Sequence, residues 1–152
     1  MKKLLFVVCS LQLLVVFTGC TKEKRIVQNN IWEASPVEID DSVNEFGFSN
    51  YIPSFTLTII EMVKNKNIDW FVIEFKSEKQ NIIGKVKIGH NKIDFHDIET
   101  SEAVFGGNIS YETQYLINFL EDVNRYVVNG AALTLKSKKG KEIILINKKL
   151  GW

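Results

Sequence analysis

The densest set of groups able to do chemistry lies between residues 90 and 99: His90, Asp94, His96, Asp97 and Glu99. Imidazoles and carboxylates are the donors that hold zinc and similar ions, and a His–Asp pair is also what moves protons in hydrolases. If the segment is a strand, Asp94 and His96 share one face and Asp97 and Glu99 the other, since strand side chains alternate. His90 falls in a turn, and the His-x5-His spacing matches no standard metal site. Solvated polar positions at a strand end are the competing account, and this spacing favours them. The expectation is no metal and no cofactor, with a hydrolase using His96 and Asp94 or Asp97 as the weaker alternative. Nucleophilic catalysis has less to stand on. Beyond residue 20 the chain has no thiol, no Gly-x-Ser-x-Gly elbow and no evident seryl partner for either histidine. Gly106-Gly107-Asn108 precedes a helical segment, where amides can bind an anion, but Gly-Gly before a helix is also ordinary loop chemistry. The chain is expected not to be an enzyme.

A different kind of chemistry is written at the amino terminus. Lys2 and Lys3 precede a mostly apolar run from Leu4 to Phe17, which ends in Thr18-Gly19-Cys20. Basic start, apolar run and small-residue ending make a secretory signal, and the run is shorter than the about 20 residues of a spanning helix. Phe17-Thr18-Gly19-Cys20 resembles the bacterial lipobox, usually Leu-Ala/Ser-Gly/Ala-Cys, with Phe17 an apolar departure at its first position. The resemblance implies cleavage after Gly19, a diacylglycerol thioether on Cys20 and acylation, commonly with palmitate, of the new amino terminus. Two or more acyl chains hold a protein firmly, at about 0.8 kcal/mol per buried methylene. An ordinary signal that leaves Cys20 a free thiol is the alternative. Thr21 lacks the aspartate associated with inner-membrane retention in some bacteria, which favours an outer-membrane address where the cell has one.

The rest of the composition fits export. Cys9 lies in the signal and Cys20 at its end, so the body must be stable through its core and not through disulfides. Loss of Lys2 and Lys3 takes Lys+Arg from 19 to 17 against 18 Asp+Glu, a balance with no concentrated basic face for nucleic acid. Lys22, Lys24 and Arg25 form a basic cluster just after the cysteine. They are expected to be a solvated tether, with contact to anionic headgroups as the alternative. The division that follows is 1–19 signal peptide, 20–30 lipidated cysteine and tether, and 31–152 a single domain.

Those groups need elements to hold them. Ser110 to Val127 is the long segment with a helical period, its Tyr115, Leu116, Phe119, Leu120, Val123 and Tyr126 forming one apolar stripe. Glu121 and Arg125, four apart, are expected to pair on its outer side. Around it run strands: Phe55–Val63, Ile68–Phe75, Ile82–Ile88, Lys92–Phe95, then Ala131–Lys136 and Glu142–Ile146 as a last hairpin. Ile31 and Trp32 open the domain on a first strand, and Glu33 to Asn50 is expected to be mainly loop. Gly84 within a strand marks a bulge, bend or close approach, and Asn129-Gly130 a turn. Trp70, Phe71, Phe75, Phe95, Tyr115, Phe119 and Tyr126 are assigned to the core. The fold class is α+β, a curved and mainly antiparallel sheet or open barrel of six or seven strands with one late amphipathic helix packed on it.

The ordered series Asn81-x-x-Gly84, Lys85-Val86-Lys87-Ile88, Gly89-x-x-Lys92-Ile93-Asp94-Phe95, Thr100, Glu112-x-x-Tyr115-Leu116-x-x-Phe119-Leu120, Val123-x-x-Tyr126 and Gly130-x-x-Leu133-Thr134-Leu135 resembles the META domain. That is the fold of HslJ-like small bacterial lipoproteins, and Trp32 matches the family's early tryptophan. Lys79-Gln80-Asn81 replaces the family's Gly-Cys-Asn turn, and the cysteine after the threonine is missing. The resemblance implies a fold and a cell-envelope location, with no catalytic residues to carry over. The leading expectation is a lipid-anchored envelope lipoprotein of uncharacterised role that binds or supports. The alternative is an inhibitor or immunity-type lipoprotein holding a protein partner at the membrane.

Overall fold

The computed structural model describes residues 22–43, 49–62, 68–76, 81–101 and 109–150. Residues 22–28 form a helix, α1. Ten strands follow: β1 (Ile31–Ala34), β2 (Val37–Val43), β3 (Ser49–Ile52), β4 (Phe55–Ile60), β5 (Asp69–Phe75), β6 (Asn81–Ile88), β7 (Ile93–Thr100), β8 (Val123–Asn129), β9 (Ala132–Ser137) and β10 (Glu142–Asn147). Helix α2 (Tyr111–Asp122) lies between β7 and β8, and a 3-10 turn at Lys148–Leu150 follows β10. Eight strands make one antiparallel sheet in the order β7-β6-β5-β4-β1-β10-β9-β8, while β2 and β3 pair as a separate hairpin. The sheet curls into a half-barrel with α2 packed late upon it, the α+β class expected.

Alternation decides which faces are buried. In β5, Phe71, Ile73 and Phe75 turn inward while Trp70 and Glu74 are exposed; β10 alternates Ile143, Leu145 and Asn147 inward with Glu142, Ile144 and Ile146 outward. Trp32, Leu57, Phe71, Ile73, Ile82, Leu133 and Leu145 are fully buried inside the curl. Each such side chain contributes about 1.5–3 kcal/mol of apolar burial. The rims of the curl, β7 and β8, approach at one point. Lys92 bridges Arg125, the Tyr126 amide donates to the Asn91 carbonyl at 3.2 Å, and the Tyr126 hydroxyl donates to the Gly89 carbonyl at 3.0 Å.

Three expectations are corrected. Residues 22–30 are not a solvated tether: Val27 is fully buried, and its carbonyl accepts a 3.0 Å hydrogen bond from the Trp32 indole. Residues 22–30 are thus packed on the body that follows them. The apolar stripe from Ser110 does not continue as a helix to Val127, because α2 stops at Asp122 and the chain passes straight into β8. Val123 and Tyr126 are still buried, since a bulge between Val123 and Arg125 gives them the same side of the strand. Val123, Val127 and Val128 favour the extended chain, and pairing with β9 satisfies it along its length. Glu121 and Arg125 thus do not share a helix. Residues 33–50 include the strands β2 and β3, whose Ile39 and Ile52 are buried.

Helix α2 forms where its ends permit. The Ser110 hydroxyl accepts from the Thr113 amide at 3.2 Å, an N-cap, and Glu112 supplies negative charge in the first turn. Thr113, Leu116, Ile117, Phe119 and Leu120 are its buried residues. At its far end the Asp122 carbonyl and carboxylate accept from the amides of Lys138 and Lys139 in the β9–β10 turn, at 2.9 and 3.3 Å. At that turn, Gly140 sits at φ +83°, a left-handed conformation natural to glycine.

Candidate functional site

The histidine–carboxylate set does not converge. On β7, Ile83 pairs with Glu99 and Lys85 with His96, so β7 carries an extra residue, and Asp97 takes φ +51° there. That bulge shifts the alternation: Glu99 joins Asp94 and His96 on the outer face, where the unbroken strand placed it opposite them. Asp97 is drawn to Lys85, whose ammonium donates to its carboxylate at 2.7 Å. This hydrogen bond, with the Lys85 charge behind it, holds the Asp97 carboxyl below the usual carboxylate range; His96 adds a smaller pull the same way. The His96 Nδ1 is buried without a hydrogen-bond partner among the described residues. His90 stands apart in the β6–β7 turn, 3.6 Å from the Glu23 carboxylate. Among the described residues no group of three or more His, Cys, Asp or Glu side chains could hold a metal ion. Cys20 and Gly106-Gly107-Asn108 lie outside the described residues.

Among the described residues a concave feature lies elsewhere, at the end of the half-barrel where α2 meets the β2–β3 hairpin and the β9–β10 turn. A groove of about 290 Å³ runs between Tyr115 and Phe119 of α2, Val37 and Glu38 of β2, and Lys141, Glu142 and Ile143 at the start of β10. A second hollow of about 220 Å³ continues past Tyr115 toward Asn118, Ser137 and Lys139. Tyr115, Phe119 and Lys141 line both. The Lys141 ammonium donates to the Tyr115 hydroxyl at 2.8 Å and lies 5.1 Å from the ring centroid. Glu142 accepts from Lys136 at 2.6 Å. The cleft thus offers an aromatic wall, apolar side chains and the charged groups Glu38, Lys141 and Glu142. Such a surface can hold a chain segment or side chain by contact and hydrogen bonding.

Sequence reasoning assigned Tyr115 to the core and passed over Lys141. The pair is 26 residues apart, and nothing local brings them together. Trp70, also assigned to the core, faces outward beside Lys85, whose ammonium is 5.9 Å from its ring centroid. Phe71, Phe75, Phe95, Phe119 and Tyr126 are buried as expected.

No protein-family model matches the chain. No curated protein matches it either. Among solved structures, the chain is similar to the NMR structure of a protein from Burkholderia xenovorans, with a TM-score of 0.56 and 15% identity. The likeness covers 82% of this chain and 85% of that one, and it extends to the fold alone.

Proposed function

We propose that this chain is a lipid-anchored protein of the bacterial cell envelope whose half-barrel domain is a non-catalytic binding or structural module. One observation carries the reading: Phe17-Thr18-Gly19-Cys20 closes an apolar run headed by Lys2 and Lys3. Acyl chains on Cys20 hold such a protein at a bilayer surface. The META resemblance of Asn81 to Ile146 adds the expectation of an envelope role. The test is intact-mass analysis of the membrane fraction, native chain against Cys20→Ser. Mass added at Cys20, lost together with membrane retention in the variant, is the expected result. A soluble native protein with a free Cys20 thiol overturns it.

The groove beside Tyr115 favours a second reading, an inhibitor or immunity-type lipoprotein that captures a protein partner at the membrane. Its expected signature is co-purification with one stoichiometric partner, weakened by Tyr115→Ala. Recovery of the native chain alone from solubilised membranes counts against it.

A further inference from the structure

The half-barrel has two different ends. One carries α2 and the groove. The other, its floor, is crossed by α1 and rimmed by the starts of β1 and β5, the end of β4, the β6–β7 turn and the 3-10 turn after β10. Side-chain contacts fix α1 in that place. The Gln28 amide donates to the buried Asp69 carboxylate at 2.7 Å, Lys24 lies 3.7 Å from the same group, and Lys149 donates to the Asn29 carbonyl at 3.0 Å. Glu23 beside His90 ties the beginning of α1 to the β6–β7 turn.

The floor collects bases. Lys22 and Arg25 of α1, Lys92 after the β6–β7 turn, and Lys148 and Lys149 of the 3-10 turn are all exposed there. The acids at this end are Glu23, next to His90; Asp69, buried against Gln28 and Lys24; the exposed Glu61; Asp94, opposite Lys87 on the β6–β7 hairpin; and Glu33, whose carboxyl is held down chiefly by Lys76 and also feels Lys148. Bases outnumber acids here, so a chain close to neutral overall carries an excess of positive charge on one end. The rim beside it is apolar and aromatic. Ile60 and Trp70 are cross-strand partners with 49% and 37% of their surface exposed, and Met62 follows at 39%. Lysine and arginine next to an exposed tryptophan and aliphatic side chains is the combination that suits a headgroup layer, the charges meeting phosphates and the ring sitting at the interface.

We infer that the floor of the half-barrel, Lys22, Arg25, Lys92, Lys148 and Lys149 with Trp70 at its rim, docks on anionic lipid headgroups. The docking gives the domain a fixed posture, with the groove at the opposite end pointing away from the bilayer. The inference deepens the lipid-anchored reading, since Cys20 lies two residues before α1. It rests on that reading for the anchor alone. The floor's own attraction to lipid is separable and is what the test isolates.

The test uses the chain from residue 20 onward as Cys20→Ser, which carries no lipid and keeps every described residue. It is sedimented with phosphatidylglycerol-containing vesicles and with pure phosphatidylcholine vesicles. The expected result is partitioning to the anionic vesicles only, weakened by added salt. Lys22→Glu with Arg25→Glu should lower that partitioning at least tenfold, given roughly fivefold per base removed. Lys138→Glu with Lys139→Glu, at the far turn, should leave it unchanged. Lys148→Glu serves as an independent floor variant, and melting curves establish that each variant is folded. Equal partitioning to both vesicle types, no partitioning at all, or equal losses at the floor and the far turn overturns the inference. Failure here with Cys20 acylated in the native chain removes only the docking. Success with an unacylated Cys20 removes only the anchor.

Discussion

Gly84 and Phe71 are directly opposed on β6 and β5, and a Cβ on Gly84 would stand 2.7 Å from the edge of the Phe71 ring. The ring has nowhere to go. It is fully buried and meets Phe95 edge-on, with centroids 4.9 Å apart. On the other side the Asp97 carbonyl oxygen lies 3.1 Å from the same point, brought there by the bulge in β7. Gly84→Ala should therefore destabilise the fold by about 1–2 kcal/mol, overpacking outweighing the entropy that alanine saves in a strand. Urea unfolding measures it. An unchanged or raised midpoint would show that the Phe71 ring yields freely.

Phe119 and Leu120 carry α2 onto the half-barrel, both buried on the face toward the sheet and the β2–β3 hairpin. Phe119→Ala or Leu120→Ala should each cost on the order of 2–5 kcal/mol, transfer energy plus the cavity left behind. Because Phe119 also walls the groove, its truncation should widen that cleft, while Leu120→Ala leaves it intact. Thermal melts of both variants decide. Unchanged melting in both would mean that the helix is not held by this face.

Much of the fold was legible because its strands are local. Alternation over Phe55–Ile60, Asp69–Phe75 and Asn81–Ile88 states which side is buried, and Gly84 announced the close approach that Phe71 makes. What misled was periodicity taken too far. Val123 and Tyr126 fit a helical stripe by spacing, yet a bulge gives a strand the same three-residue step between inward positions. Residues 22–30 look polar along the chain, and it takes the neighbouring Trp32 with the distant Asp69 and Lys149 to bury and hold their helix. The groove was invisible for the same reason. Tyr115 and Lys141 meet only after β8, β9 and their turns have brought the chain back to α2.

Lys85 governs the Asp97 carboxyl at the bulge, so the pair predicts a pH dependence. The folded value lies below the ordinary one of about 3.9. Whatever stability the pair contributes is present above that ordinary value and is lost as pH falls through the lower folded one. Asp97 is well exposed, so the effect on global stability should be slight. The sensitive readout is the carboxyl itself: Lys85→Gln should return the Asp97 titration, followed by NMR, upward toward the ordinary range. A midpoint that does not move would mean that another group holds it down.

Trp32 does for α1 what sequence alone did not reveal. Its ring is fully buried in the half-barrel and its indole N–H donates to the Val27 carbonyl, so one side chain joins β1 to the end of the helix. Trp32→Phe keeps most of the apolar burial but leaves that carbonyl short of a donor, at a cost of roughly 1–3 kcal/mol. The loss should be local first, because α1 is a short helix tied down by a few contacts and should open before the sheet does. Hydrogen exchange over residues 22–28 should rise in Trp32→Phe while exchange in β4, β5 and β6 stays slow. Uniform acceleration across the sheet would instead make α1 part of the cooperative core. Unaltered exchange at 22–28 would mean that Gln28, Lys24 and Lys149 seat the helix without the tryptophan.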